Sequence, residues 1–190
     1  MEIEKECFLK DVKTRADFRN WLEKNCEIKK QCFVCVKSKK VIEKSLCYLD
    51  AVEEAICFGW IDSVFKKNEK GEFIIRFSPR RKNSNWTELN KERARRLIKL
   101  NKMSEFGRKS LPDLDEPFVV PEYVNEIFKK DENLLKEIKK LPALYFRIRI
   151  DNILKVENNK EQFKFRLEKF IKYTKEGKMY GQWNDYGRLK

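Results

Sequence analysis

Residues 60–78 read W-I-D-S-V-F-K-K-N-E-K-G-E-F-I-I-R-F-S, and this stretch predicts a β-hairpin. Alternating apolar side chains mark strands at 60–65 and 72–78, and the link that ends at Gly71 is a hairpin loop of ordinary length. If the strands pair symmetrically, the numbers of facing residues sum to 136 or 138. That register predicts a polar face of Trp60, Asp62, Arg76 and Ser78, opposite an apolar face of Ile61, Phe65, Phe73, Ile75 and Phe77.

Helix and strand signals precede the hairpin. The segment T-R-A-D at 14–17 predicts a capped helix, and C-F-V-C-V at 32–36 predicts a strand. The segment D-A-V-E at 50–53 has the form of a capping box that opens a helix at Asp50. Gly59 is placed to end that helix, directly before the hairpin begins.

The sequence after the hairpin is mostly helical. Asn85 is expected to cap a helix over 86–100, and a short helix begins at Ser104. An acidic stretch with prolines at 112–121 predicts a linker or surface crossover. Further helices are expected at 122–128, 132–140, 143–156 and 162–175. The fold class predicted is therefore α+β, with a small antiparallel sheet and packed helices in residues 1–115 and a helical region in 116–190.

Composition bounds the class of protein. The chain has 190 residues, of which 41% are hydrophobic and 39% are charged, so it has enough apolar material for a packed core. No apolar run approaches the roughly 20 residues that a membrane span needs. The first ten residues alternate charged and apolar side chains and lack a signal-peptide core. We therefore expect a soluble, cytoplasmic protein without a membrane span.

Positive charge is concentrated in the middle of the chain. The formal net charge is +13, and residues 76–109 contribute twelve Lys and Arg against three Glu. Seven of those twelve cations are Arg, whose guanidinium group binds phosphate and carboxylate in a fork. This block predicts an anionic partner, either a small molecule or a nucleic acid. The alternative is that these cations reflect a Lys-rich composition and lie on a solvent-exposed surface without binding a partner.

The residue types that bind metals or cofactors are sparse. The chain has no His, which removes the commonest metal ligand and the usual general base. Cys32 and Cys35 form a lone C-x-x-C on a predicted strand, where positions three apart point to opposite faces. No metal site and no cofactor are therefore predicted, and the thiols are expected to be reduced and mostly buried.

The run R-F-S-P-R-R-K-N-S-N-W at 76–86 is the predicted binding site. Arg80, Arg81 and Lys82 precede a helix N-terminus, which attracts anions, and Ser84 adds a donor. Arg93 lies about two turns further along the helix. The indole rings of Trp60 and Trp86 could form a flat wall for a base or sugar, and Asp62 could fix the Arg76 guanidinium across the hairpin. Each feature also has a structural explanation: a cross-strand pair, buried indoles between sheet and helix, and a solvated turn.

The evidence for catalysis in the sequence is thin. Glu54 or Asp62 could serve as a general base, but neither has a second carboxylate or a metal to work with. We therefore assign no catalytic residue, and an enzyme remains the weaker alternative.

Three segments resemble the YdeI/OmpD-associated family, whose members are often labelled bacteriocin-protection proteins. These are A-V-E-E-A-I-C-F-G-W-I-D at 51–62, R-F-S-P-R-R-K-N-S-N-W at 76–86 and N-K-E-R at 90–93. The last segment adds Asn90 to the predicted site. The resemblance is looser in the second half, where it includes L-P-A-L-Y-F at 141–146.

The resemblance implies a role in tolerance of bacteriocins and cationic antimicrobial peptides, and it brings no established reaction. A protein of net charge +13 would not sequester cationic peptides by charge, so we expect any protection to be indirect. The leading hypothesis is a binding or tolerance protein that holds a phosphate-containing ligand at residues 80–86. The alternatives are a nucleic-acid-binding protein that uses the block 76–109, and an enzyme with Asp62 or Glu54 as base. The protein partner, if there is one, is unknown.

Overall fold

The first helix begins where its capping signal predicts. In the computed structural model, which describes residues 7–37, 45–67, 73–82 and 84–189, the Thr14 hydroxyl accepts a hydrogen bond from the Asp17 amide. The Asp17 carboxylate accepts one from the Thr14 amide in return, which completes a capping box. Phe18 and Leu22 on the inner face of this helix are fully buried. The helix is therefore fixed by its cap and by its apolar stripe.

The described residues form an α+β fold whose second half is mainly helical, as the sequence predicts. In chain order the elements are α1 (Arg15–Asn25), β1 (Cys32–Val36), α2 (Tyr48–Cys57), β2 (Trp60–Lys67), β3 (Phe73–Pro79), α3 (Glu88–Lys99), α4 (Glu105–Lys109), α5 (Glu122–Lys129), α6 (Glu132–Lys140), α7 (Ala143–Leu154) and α8 (Lys160–Lys175), followed by a short 3₁₀ turn (Asp185–Gly187).

Helix α2 begins earlier than its sequence signal indicates. Its N-cap is Cys47, so the predicted capping box at Asp50 is wrong, because Asp50 already lies in the first turn. The Cys47 thiol donates a hydrogen bond to the Asp50 carboxylate, 2.9 Å away. The end of the helix is as predicted, since Gly59 follows the last turn with a φ of 69°.

The sheet has β3 at its centre, in the order β1-β3-β2, with antiparallel pairing throughout the described strands. The hairpin register differs from the prediction. Trp60 pairs with Pro79 and Asp62 with Phe77, and the register then shifts by one residue between Asp62 and Phe65. The numbers of facing residues therefore sum to 139 before this shift and to 140 after it. Most of the predicted loop of this hairpin lies outside the described residues.

This register changes which side chains share a face. Trp60 and Asp62 lie on the face of Phe77, toward the helices, whereas Arg76 and Ser78 lie on the opposite face. The predicted polar face is therefore wrong. Phe77 packs against Phe18 of α1 with ring centroids 5.2 Å apart, so its face of the sheet covers the core. Ile61, which was predicted on this face, pairs with Ser78 and lies on the opposite one.

Helix α3 starts two residues later than predicted. The Thr87 hydroxyl accepts a hydrogen bond from the Asn90 amide, which makes Thr87 the capping residue in place of Asn85. Helix α4 is capped by Ser104, as predicted, and ends at Lys109. Residues 112–121, predicted as a linker, contain no helix or strand.

The chain divides into two compact units, and the division falls within α3. Unit 1 comprises Met1–Asn85 and Arg93–Leu114, and unit 2 comprises Trp86–Glu92 and Asp115–Lys190. The predicted boundary at 115 lies at one of these junctions, but the prediction did not assign residues 86–92 to the second region. Unit 2 has its own core around Phe128, Tyr145 and Phe170.

Candidate functional site

The residues of the predicted site are divided between the two units. Unit 2 contains Trp86 and Asn90, and unit 1 contains the others, which are Trp60, Asp62, Arg76, Ser78, Arg80, Arg81, Lys82, Ser84 and Arg93.

Trp60 is a core residue. Its side chain has no exposed surface, its indole N–H donates to the Cys26 carbonyl at 3.1 Å, and its ring meets Trp21 edge to face. Trp86 is also buried. The expectation that these two indoles offer a flat wall to a ligand is therefore wrong.

Asp62 and Arg76 do not form the predicted cross-strand pair. The Asp62 carboxylate accepts a hydrogen bond from the Tyr48 hydroxyl at 2.9 Å. The Arg76 Nε group donates to the Gln31 side chain at 2.8 Å, on the other face of the sheet. The described partner of the Arg76 Nε group is therefore a neutral side chain. Ser78 lies on the same face as Arg76 and is partly buried.

The end of β3 leads into a cluster that we call the basic turn, made of Arg80, Arg81, Lys82 and Ser84. The Arg80 amide donates to the Gly59 carbonyl at 2.8 Å, which ties the start of the turn to the end of α2. The Arg81 amide donates to the Ser84 hydroxyl, and the Ser84 amide donates back to the Arg81 carbonyl. Two hydrogen bonds thus close the turn.

The cations of the basic turn differ in environment. Arg80 is partly buried, and burial lowers the pKa of Arg80 to about 10, although the Asp62 carboxylate opposes this shift. Arg81 and Lys82 are exposed, and among the described residues neither has a carboxylate within ion-pair distance. The turn therefore combines one partly desolvated cation with two solvated ones.

Three arginines of α3 are buried or engaged within the protein. Arg93 is only 8% exposed, Arg95 donates to the Leu114 carbonyl, and Arg96 donates to the Glu53 carboxylate at 2.8 Å. The positive block at 76–109 is consequently not one continuous basic surface, because part of it is used inside unit 1. Asn90 was predicted as a ligand residue, and its backbone N–H donates to the Thr87 hydroxyl oxygen.

Unit 1 also contains a buried ion network that the sequence analysis missed. Its members are Arg15, Arg19, Arg96, Asp50, Glu53 and Glu54. Arg15 lies at the centre and contacts all three carboxylates. No local sequence pattern signals this arrangement, since the partners are separated by 35 residues or more.

Each member of the network takes part in at least one ion pair. The Glu53 side chain has no exposed surface and lies 2.8 Å from both Arg15 Nη1 and Arg96 Nη1. Glu54 is bound by Arg15 through one oxygen and by Arg19 through the other. Burial alone would lower the pKa of Arg15, but Glu54 and Glu53 outweigh it and raise that pKa above its ordinary value. Glu54 is therefore a structural anchor and is poorly placed to act as a general base.

A cavity of about 500 Å³ lies beside this network, lined by Arg15, Ala16, Arg19, Glu54, Asn101 and Lys102. Arg19 spans it by donating to the Lys102 carbonyl at 3.2 Å. The guanidinium groups that line the cavity are already matched by buried carboxylates, so its walls have no strong preference for an anion.

The cysteines give no sign of a metal centre in the described part of the chain, where no group of three or more Cys, Asp or Glu is arranged to hold a metal ion. Cys32 faces the core and Cys35 faces the opposite side of β1, as predicted. Burial raises the pKa of the Cys32 thiol well above its usual range.

Over the same described residues, every helix is too short or too polar to cross a membrane.

The fold and the site define an α+β protein with a basic turn at the end of its central strand. The family model described as a domain of unknown function (DUF8412) matches residues 10–110, which is more than half of the chain. The chain belongs to this family. No curated protein and no solved structure matches the chain. The resemblance to the YdeI/OmpD-associated family stays a prediction.

Proposed function

We propose that unit 1 is an anion-binding module that takes a phosphate-containing small molecule at the basic turn. The observation that supports the proposal is the geometry of the turn, where two hydrogen bonds between Arg81 and Ser84 hold the exposed cations Arg81 and Lys82 beside the partly buried Arg80. A bound anion stabilises a desolvated guanidinium group, and an Arg fork binds phosphate through two parallel hydrogen bonds. The hydroxyl group of Ser84 supplies a further donor at the same turn.

A small anion fits this surface better than a nucleic acid does. A duplex is bound through many phosphates along a continuous basic surface, with a contribution to salt dependence from each neutralised phosphate. Arg93 is buried, Arg95 donates to the Leu114 carbonyl and Arg96 pairs with Glu53, so these three cations contribute little to such a surface. The basic turn alone can neutralise only a few phosphates.

The test is a thermal-shift screen of the full chain against inorganic phosphate, pyrophosphate, sugar phosphates and nucleotides. A ligand present at ten times its dissociation constant adds about 1.4 kcal/mol to the free energy of unfolding. We expect the double variant Arg81→Gln/Lys82→Gln to lose this stabilisation. The matched control is Lys99→Gln/Arg108→Gln, which removes two exposed charges from the same unit and should keep it.

Fluorescence polarisation with labelled oligonucleotides separates the two ligand classes. If the turn binds a small anion, oligonucleotides should bind weakly even at low salt, and their affinity should differ little between the double variant and its control. Tight binding that is lost in Arg81→Gln/Lys82→Gln, with a steep decrease as salt rises, would favour the nucleic-acid alternative. The absence of any shift with every anion, phosphate included, would refute anion binding at this turn.

The family resemblance suggests the biological context, a cytoplasmic role in tolerance of bacteriocins or cationic antimicrobial peptides. Because the net charge is +13, we propose that protection acts through the bound anion and not through capture of the peptides. Cells that express the wild-type chain should survive a cationic peptide better than cells that express Arg81→Gln/Lys82→Gln at the same level. Equal survival of the two strains would show that peptide tolerance does not depend on the basic turn.

A further inference from the structure

Unit 2 contains a cavity of about 340 Å³ between α7, α8 and the segment that follows α8. Three cations line it, together with one amide side chain, one aliphatic side chain and two aromatic rings. These are Arg149, Arg166, Lys169, Asn152, Ile153, Phe165 and Tyr180. No carboxylate belongs to the lining. The cavity shares no residue with the basic turn.

The arginine on α7 is built into the cavity wall. The Arg149 guanidinium lies over the ring of Tyr180 at 5.1 Å and over that of Tyr145 at 5.8 Å. Gly181 makes room for it, because a Cβ atom on this residue would lie 2.7 Å from the Arg149 Nη1 atom. The Tyr180 amide donates to the Tyr145 hydroxyl at 3.3 Å, which fixes the segment after α8 against α7. The charge is therefore held in place by packing.

The cations of this cavity are not neutralised within the described part of unit 2. Arg149, Arg166 and Lys169 have no carboxylate within ion-pair distance there. Their described contacts are with aromatic rings, with the Tyr180 hydroxyl group and with a carbonyl group. The Arg149 Nε atom is buried and has no hydrogen-bond partner among those residues. Three positive charges on one small cavity repel one another, and an anion relieves that repulsion.

The aromatic side chains indicate a second feature of the ligand. Phe165 lies on the cavity rim and is 64% exposed, which is unusual for a Phe side chain. A planar ring that stacks on Phe165 would cover this apolar surface, as bases do on aromatic side chains. The volume lies at the small end of the range for ligand pockets, which suits one nucleotide and excludes a long polymer.

We propose that this cavity is a binding site for a small phosphate-bearing molecule with a planar ring, of the size and chemistry of a nucleoside monophosphate. Arg166 and Lys169 bind the phosphate with Arg149 behind them, and Phe165 stacks on the ring. The site is independent of the proposed function of unit 1, since it uses different residues of a different unit.

The experiment is isothermal titration of the full chain with AMP and with phenyl phosphate, alongside adenosine and inorganic phosphate. We expect AMP to bind more tightly than either of its halves, because the cavity contacts both. Two variants test the contacts: Phe165→Ala removes the stacking surface, and Lys169→Gln removes one charge. Both residues are exposed, so the fold should tolerate the changes, and circular dichroism verifies this.

Loss of base stacking should weaken AMP binding roughly 5- to 150-fold in Phe165→Ala. Loss of a charge-assisted contact should weaken it about tenfold or more in Lys169→Gln. The matched controls are Tyr186→Ala, another exposed aromatic residue of unit 2, and Lys172→Gln, another exposed lysine of α8. Neither control should change the affinity.

Three results would overturn the proposal. The first is no binding of AMP or phenyl phosphate at millimolar concentration. The second is equal affinity in the variants and in their controls. The third is binding that is lost only in Arg81→Gln/Lys82→Gln, which would place the nucleotide at the basic turn of unit 1. Because each site has its own variants, failure of this proposal and failure of the proposed function are distinguishable.

Discussion

Replacing Arg15 by Met should strongly destabilise unit 1. Arg15 Nη1 lies 3.0 Å from Asp50 and 2.8 Å from Glu53, and its Nε atom binds Glu54. All three carboxylates are less than a tenth exposed, so their charges are not stabilised by water. Removing one partner of a buried ion pair costs about 3–5 kcal/mol, because an uncompensated charge is left behind. The Met side chain keeps most of the aliphatic packing, so the loss reports mainly on the charge.

The remaining partners set the expected size of this loss. Among the described residues, Glu53 retains Arg96, Glu54 retains Arg19, and Asp50 retains the hydrogen bond from the Cys47 thiol. We therefore expect a loss of about 3 kcal/mol in the free energy of unfolding, at the lower end of that range.

Urea denaturation followed by far-UV circular dichroism measures the loss. The control Arg108→Met removes an exposed cation from α4 and should change the free energy of unfolding by less than about 0.5 kcal/mol. Arg15→Lys keeps the charge but loses the planar fork, so its free energy of unfolding should lie between those of Arg15→Met and Arg108→Met. A loss below about 1 kcal/mol in Arg15→Met, or one equal to that of the control, would refute the argument that this network stabilises unit 1.

Three further predictions concern local packing and reactivity. Gly107→Ala should destabilise the chain by about 1–3 kcal/mol or more in a thermal melt, because the new Cβ atom would lie 2.0 Å from the Cys57 carbonyl oxygen. Thr87→Ala should cost about 1 kcal/mol in urea denaturation, since the Asn90 amide loses its cap. Burial raises the pKa of Cys57 to about 12, and that of Cys32 also rises, so both thiols stay protonated at pH 8. Mass spectrometry should find both unmodified by a maleimide in the native chain, and modification as fast as in urea would contradict their burial.

The helices and strands could largely be predicted, because their signals are local. The capping box at Thr14 and the cap at Ser104 each lie where the sequence places them. Strand β1 matches its prediction at both ends, since a short apolar run bounded by polar residues has few alternative readings. The cap of α2 was missed because the backbone there is capped at Cys47, and a Cys is not one of the usual capping residues.

The register of the hairpin could not be predicted from alternation alone. A single bulge after Asp62 changes the sum of facing residues from 139 to 140, and a one-residue slip moves every side chain to the other face. That slip separates Asp62 from Arg76 and places Trp60 in the core. The side chains expected on one polar face therefore lie on two, and the candidate site contracts to the basic turn.

The ion network was invisible for a different reason. Arg15 and its partners are 35 to 39 residues apart, and they meet only because α1 packs on α2. Patterns of periodicity and capping carry no information on such contacts. A single sequence shows the charges but not how they pair.

The measurement that tests the central claim most directly is a titration of the full chain with pyrophosphate, followed through the Nε–H signals of the arginine side chains by NMR. The account predicts saturable shifts at Arg80 and Arg81, with the signal of exposed Arg108 unchanged. Unchanged signals at Arg80 and Arg81, or small shifts shared equally by all exposed arginines, would contradict an anion site at the basic turn.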